Sequence, residues 1–348
     1  MRCFKQSRMG NTMILNRARI GMKVLVTGAG ALLGQGIIRS LQNSALEPEI
    51  VAADPSPLAA GLYWTNLRYI IPMASDPEYL NVIRRILSVE RPNVILIGTD
   101  VELMVFAQVK DAIEEEFDTK VIVSSPKAIS IAEDKYLTYQ FLRNSGFAPP
   151  ESRTAEFANE LVVKFGFPLI VKPRIGARSV GFQIIRSEDE LQRAIENSSD
   201  LVVQELVGIE SEEYTAGTIT FDSNCNASIL MRRDLRDGNT YRAQTVRRHD
   251  LDDQIRAIAV ALNAYGPANF QFRLSDNRVR VFEINCRFSG TTPLRSIAGF
   301  NEVDMVLRRV LFGEPVAQPQ IQDMMIMRHW SETAVLNSNL IQDGLQIV

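Results

Sequence analysis

The chain has 348 residues, 46% of them apolar and 23% charged, with a formal net charge of −3. Two or three compact domains fit that length, and the slightly acidic balance argues against a dedicated nucleic-acid binder, which would be basic. Three scattered cysteines (Cys3, Cys225, Cys286) fit a reducing, cytoplasmic compartment, and the only two histidines, His249 and His329, leave no basis for a histidine-centred metal site or a Ser-His-Asp triad.

The leader, residues 1–21, is basic, lacks acids and has no sustained apolar core, so it reads as a disordered extension and not as a signal peptide. The fold is expected to begin at Met22. From there strand and helix alternate: "KVLVTG" and "EIVAAD" read as strands on either side of the helix "LLGQGIIRSLQNS", followed by a proline-bearing loop. The helix "PEYLNVIRRILSVERP", the strand "NVILIGT", the helix "VELMVFAQVKDAIEEEF" and the strand "KVIVSS" complete the block near residue 125. Apolar β-rich runs separated by helices predict a parallel sheet covered on both faces. No stretch reaches the roughly 18–20 apolar residues of a membrane span.

A different rhythm follows. "AISIAEDKYLTYQFLRNSG" reads as one helical segment, and the tandem prolines of "FAPP" break it. "FPLIVKP" and "VGFQIIRS" read as short strands around the turn "RIGARS", with the helix "EDELQRAIENS" and the strand "DLVVQELV" after them. The remainder is mostly strand ("EYTAGTITFD", "ASILMRRDLRD", "NFQFRLSD", "RVRVFEINCRF"), interrupted by the helix "DDQIRAIAVALNAYG". The fold class is therefore α/β, a Rossmann-like N-terminal domain followed by an α+β module.

Gly28, Gly30 and Gly34 follow the first strand, and Asp54 ends the second. Glycines let backbone N–H groups approach a phosphate at a helix N-terminus, and an acid after the second strand suits a ribose. The same loop also serves to let a helix pack closely on its sheet, so an NAD-dependent oxidoreductase remains one alternative.

Four later stretches suit a nucleoside triphosphate held with a metal. "AEDKYLTYQ" supplies Lys135, and "LIVKPRIGARSVG" supplies Lys172 and a turn with Gly176, Arg178 and Ser179. "VVQELVGIESEE" supplies Gln204, Glu205, Leu206, Val207 and Glu213; "NFQFRLSDNRVRVFEINCRF" supplies Gln271, Glu283, Asn285 and Arg287. Lysines answer the phosphate charge, a glycine turn can close over phosphates, and the oxygens of Glu283, Gln271 and Asn285 suit Mg²⁺. Along one strand, residues 283, 285 and 287 share a face. Taken singly, each stretch has an ordinary structural reading; it is their order that points to one site.

In that order, "FPLIVKP…RSVG" and "VFEINCRFSGTTPLRSIAG" resemble the ATP-grasp superfamily, most closely one half of a carbamoyl phosphate synthetase large subunit, over residues 23–315. The resemblance implies a pre-grasp domain at 22–125, a grasp subdomain with a phosphate-covering loop at 126–206 and a C-terminal grasp subdomain with the metal site at 207–320, leaving 321–348 unassigned. It implies that Lys135, Lys172, Arg178 and Ser179 contact phosphates, that Gln204 to Val207 form the adenine hinge and that Glu205 or Glu213 holds ribose. Gln271, Glu283 and Asn285 would bind the metal, Mg²⁺ or Mn²⁺, and Arg287 and Lys172 would act in catalysis. The implied activity is ATP-dependent joining of an acid to an amine through an acyl phosphate, in a possible homodimer or with a partner subunit. A second alternative is a non-catalytic or partner-dependent ATP-binding subunit of a split synthetase. Two features depart from the synthetase: lysines stand at 135 and 172 where it has arginines, and the basic stretch 232–248 has no close counterpart. That stretch (Arg232, Arg233, Arg236, Arg242, Arg247, Arg248) reads as a loop that binds an acid or merely faces solvent, and Arg295 is a further candidate for the acid.

Overall fold

A computed structural model describes residues 21–176, 179–196, 200–208 and 212–341. The leader up to residue 20, Arg178 of the turn and the end of the tail lie outside the described residues. The described chain forms two compact units, one of residues 21–123 with 301–316 and 330–341, the other of 124–300 with 317–329.

In the first unit, strands β1 (Lys23–Val26), β2 (Glu49–Asp54), β3 (Leu67–Ile70), β4 (Val94–Leu96) and β5 (Lys120–Ile122) alternate with helices α1 (Leu32–Gln42), α2 (Tyr79–Glu90) and α3 (Leu103–Phe117). The sheet is parallel, in the order β3-β2-β1-β4-β5. Val24, Leu25, Val26, Val94, Ile95 and Leu96 are fully buried, as expected for central strands covered on both faces. β3 falls inside the stretch expected as loop; four residues of mixed polarity give too short a pattern to read. The helix Glu302–Phe312 returns to this unit, where Asn301 Nδ2 donates to Ser40 O at 2.9 Å.

The glycine loop after β1 is packed shut. Gly28 has φ +58, and a Cβ on Gly34 would lie 2.1 Å from Gly28 O. Asp54 takes Gly30 N at 2.6 Å on one oxygen and Ser56 N at 2.9 Å on the other. The glycines thus let α1 seat against the sheet, and the acid that would suit a ribose ties the loop together. Gly34→Ala should destabilise this unit by about 2 kcal/mol or more, because backbone and not a flexible side chain must yield. Urea unfolding checks this, and an unchanged midpoint would contradict the packing account.

The second unit opens with α4 (Pro126–Glu133), N-capped by Ser125, and α5 (Lys135–Asn144). Where one helix was expected there are two, because Asp134 is extended (φ −99, ψ 114). Its carboxylate accepts from Tyr136 N at 2.8 Å and Leu137 N at 3.2 Å, an N-cap worth about 1 kcal/mol. Lys135 therefore begins a helix instead of lying within one.

Next come β6 (Ser152–Thr154), α6 (Ala158–Phe165), β7 (Leu169–Pro173), β8 (Gln183–Ile185), α7 (Glu188–Ile195) and β9 (Leu201–Glu205). They form an antiparallel sheet, β6-β9-β7-β8, whose inner face packs Leu169, Val171, Ile185 and Val203 against Leu161 of α6 and Leu191 of α7. β6 and α6 had no counterpart in the sequence reading.

A second antiparallel sheet, β14-β13-β10-β11-β12-β15, is built from β10 (Glu213–Phe221), β11 (Asn224–Arg236), β12 (Asn239–Val246), β13 (Gly266–Ser275), β14 (Arg278–Asn285) and β15 (Met325–Met327). Helices α8 (His249–Leu262) and α9 (Thr292–Ile297) accompany it. The basic stretch expected as a loop at 232–248 is mostly the β11–β12 hairpin. Its Asp237-Gly238 turn has φ +51 and +71, the paired left-handed geometry that Asp-Gly favours. β15 comes from the tail and pairs with β12. Among the described residues no helix is long and apolar enough to cross a membrane.

Candidate nucleotide and metal site

Within the second unit the two sheets contribute to one cleft of about 870 Å³. Lys135, Lys172, Ser179, Gln204, Glu205, Leu206, Val207, Glu213, Gln271 and Glu283 all line it, as do Phe282 and Arg233. Asn285 and Arg287 continue the row by hydrogen bonds: Asn285 Nδ2 donates to Glu283 Oε1 at 3.1 Å, and an Arg287 NH2 donates to Asn285 Oδ1 at 3.0 Å. β14 ends at Asn285, so Arg287 lies beyond the strand on which it was expected.

A β-bulge explains why two successive residues face this cleft. Gln271 pairs with Glu283 and Phe272 with Val281, so Phe282 has no partner across the ladder. The bulge breaks the alternation and brings the Phe282 ring to the cleft beside the Glu283 carboxylate.

On the other wall, Lys172 is buried on β7 and donates to Gln204 Oε1 at 2.9 Å; Gln204 Nε2 in turn donates to Ser152 Oγ at 2.8 Å. The ammonium sits 5.3 Å from the centroid of the Phe282 ring. Burial, with the charges of Lys135 and Arg273, pushes the Lys172 pKa down from 10.5 to about 7, against the pull of Glu283 and Glu213. Lys135 donates through Nζ to Gly176 O at 2.8 Å, which places it under the start of the glycine turn.

Glu205 lines the cleft, but one carboxylate oxygen takes an Arg280 NH2 at 2.8 Å and Glu151 N at 3.0 Å. Glu213 is held more tightly. It stands directly across from Arg233 on β11 and from Arg273 on β13. Arg233 reaches Glu213 Oε1 at 2.6 and 3.2 Å, and Arg273 reaches Oε2 at 3.0 Å. Sequence reasoning passed over Arg273 and Arg280, although the period of two from Gln271 places Arg273 on the same face.

The six arginines of the basic stretch do not act together. Arg232, Arg236, Arg242 and Arg247 are exposed, Arg242 pairs with Asp234 and Arg248 with Asp250, and Arg233 alone of the six lines the cleft. Arg295 is fully buried, bonded to Thr215 Oγ1 at 3.3 Å and to Asn269, and lies against Gly217, where a Cβ would come within 2.4 Å of its guanidinium.

The donor set suits a hard cation with few protein ligands. Among the described residues no group of three or more His, Cys, Asp and Glu is placed to hold a metal. Glu283 offers a carboxylate flanked by the amides of Gln271 and Asn285. Mg²⁺ commonly takes one or two carboxylates and fills its remaining positions with phosphate oxygens and water, which this set fits.

A cleft between two antiparallel sheets, with buried cationic side chains on one wall and a carboxylate with two amides on the other, defines the class. Residues 132–291 match the family of ATP-grasp domains. Residues 24–122 match the PylC-like N-terminal domain. The chain is 22% identical, over 88% of its length, to the carbamoyl phosphate synthase large chain of Archaeoglobus fulgidus, of which it spans 30%. It is 24% identical, over 84% of its length, to the carbamoyl phosphate synthase large chain, N-terminal section, of Methanopyrus kandleri, of which it spans 57%. Among solved structures, N5-carboxyaminoimidazole synthetase from Staphylococcus aureus complexed with ADP matches with a TM-score of 0.70 and 19% identity, covering 86% of this chain and 80% of that one. The last likeness shows the shared fold.

The depressed Lys172 pKa makes stability depend on pH in a defined direction. Between about 7 and 10.5 the unfolded chain holds the proton more firmly than the folded one, so the cost of burying the charge is fully present below that window and fades as pH rises through it. The Lys172→Met variant should therefore be more stable than the parent near pH 6, with the gap narrowing toward pH 10. Thermal melts across that range check it, and a constant gap would contradict the burial account.

Proposed function

We propose that the chain is an ATP- and Mg²⁺-dependent ligase that joins a carboxylic acid to an amine. The observation that carries the reading is the convergence of Lys135 and Lys172 with Glu283, Gln271 and Asn285 on one cleft. Mg²⁺-bound ATP would supply the phosphoryl group that converts the acid into an acyl phosphate, from which the amine displaces phosphate. Such a transfer needs positioning and charge neutralisation more than a nucleophilic side chain.

Each residue has a part in that task. Lys172, whose bonding partner is a neutral amide, gains an anionic partner when phosphate enters; Lys135 holds the phosphate-covering turn and meets the same charge. The backbone of Gln204 to Val207 reads the adenine edge, with Phe282 beside it. The ribose end is walled by Glu213, while Ser179, with Arg178 in the undescribed part of the turn, completes the phosphate cover. Glu283 holds the cation, and Arg287, steadied by Asn285, offsets charge on the transferred group.

The chain spans 30% of the Archaeoglobus fulgidus relative. The Methanopyrus kandleri relative, named an N-terminal section, favours one second reading: a partner-dependent subunit that binds ATP but turns over only in a complex or homodimer. An ADP-release screen over amino acids and small carboxylates separates the two. The ligase reading expects ADP release that requires both an acid and an amine and falls at least about 100-fold in Glu283→Ala. ATP binding without ADP release for any pair favours the partner-dependent reading, and absence of ATP binding removes both.

A further inference from the structure

Gln271 and Asn285 each stand between an arginine and Glu283. A guanidinium only donates hydrogen bonds and an ionised carboxylate only accepts them. An amide placed between the two must turn its oxygen to the arginine and its NH2 to the carboxylate. The distances follow that rule: an Arg233 NH2 meets Gln271 Oε1 at 2.7 Å, and Gln271 Nε2 meets Glu283 Oε1 at 2.9 Å. Asn285 repeats the arrangement from the other side, with its oxygen on Arg287 and its NH2 also on Glu283 Oε1.

Arg233 is not free to swing away. It is buried, its Nε and one NH2 engage Glu213 Oε1, its other NH2 lies 3.4 Å from Thr240 Oγ1, and Glu213 is itself held by Arg273. Turning the Gln271 oxygen toward a cation at Glu283 would leave a buried guanidinium facing an amide NH2. We propose that Arg233 is a positioning residue that fixes the Glu283 carboxylate through Gln271. The proposal rests on the nucleotide-and-metal reading above. It also links the two ends of the cleft, since the guanidinium that clamps Glu213 orients the amide that holds Glu283.

The test is Mn²⁺ binding followed by electron paramagnetic resonance in the presence of a non-hydrolysable ATP analogue. It uses the full chain and its Arg233→Met, Arg233→Lys, Gln271→Ala and Arg233→Met/Gln271→Ala variants, with thermal melts to establish folding. A relay predicts that Arg233→Met and Gln271→Ala each weaken Mn²⁺ by about tenfold, and that the double variant is no weaker than the worse single one. Arg233→Lys should behave like Arg233→Met, because a single ammonium cannot serve Glu213 and Gln271 at once. If Arg233→Met does not fold, Arg233→Lys carries the comparison alone. Losses that multiply in the double variant, or Arg233 variants within twofold of the parent, overturn the proposal while leaving the nucleotide reading intact. A parent chain that shows no nucleotide-dependent Mn²⁺ binding overturns both.

Discussion

The cleft is organised around a charge taken out of water with no carboxylate in contact with it among the described residues. Lys172 is buried, its hydrogen bond goes to a neutral amide, and its pKa has fallen to about 7. A buried cation in that state is costly to the folded chain. An ordinary structural lysine would be expected to have a carboxylate against it or to reach solvent. On the proposed reading, a polyanion entering the cleft would relieve that cost, and the free chain gives up stability for readiness to bind. Glu213 presents the opposite case. Two arginines more than offset its single negative charge, so it fixes the shape of a wall that stays net positive.

Charge on the facing wall is arranged by the same economy of partners. Glu283 receives two amide NH2 groups on one oxygen, and each amide is oriented by an arginine behind it. Long side chains whose donors and acceptors can be satisfied in only one way lose little freedom on ligand binding, which is the physical content of a preorganised site. The glycine loop of the first unit shows the reverse use of close packing. Its Gly30 N–H is turned onto Asp54, and at Gly34 the neighbouring backbone leaves no room for a Cβ.

Much of this was legible in the sequence because it follows from spacing. The alternating strand and helix runs gave the parallel sheet, and Lys172, Glu205 and Glu283 lie on strands read correctly from their apolar neighbours. What was not legible depends on contacts across strands or on single residues that override a pattern. The division of one apparent helix into two rests on the Asp134 side chain capping the second. The bulge at Phe282 has no signature in a run that alternates well on either side. β3, β6 and β15 are three or four residues long and draw their stability from neighbours. The first part of the basic stretch was read as strand, but its return strand was missed because six arginines outweighed the Asp-Gly turn that announces a hairpin. Only the register of that hairpin reveals that Arg233 differs from the other five.

Hydrogen–deuterium exchange with and without Mg²⁺-ATP tests the central claim, that the two sheets of the second unit close on one triphosphate. The account predicts added protection together in peptides covering 169–176, 201–208 and 271–285, with none at 24–36. Protection confined to one sheet, or protection at 24–36 by a nicotinamide dinucleotide with no response to Mg²⁺-ATP, would contradict it.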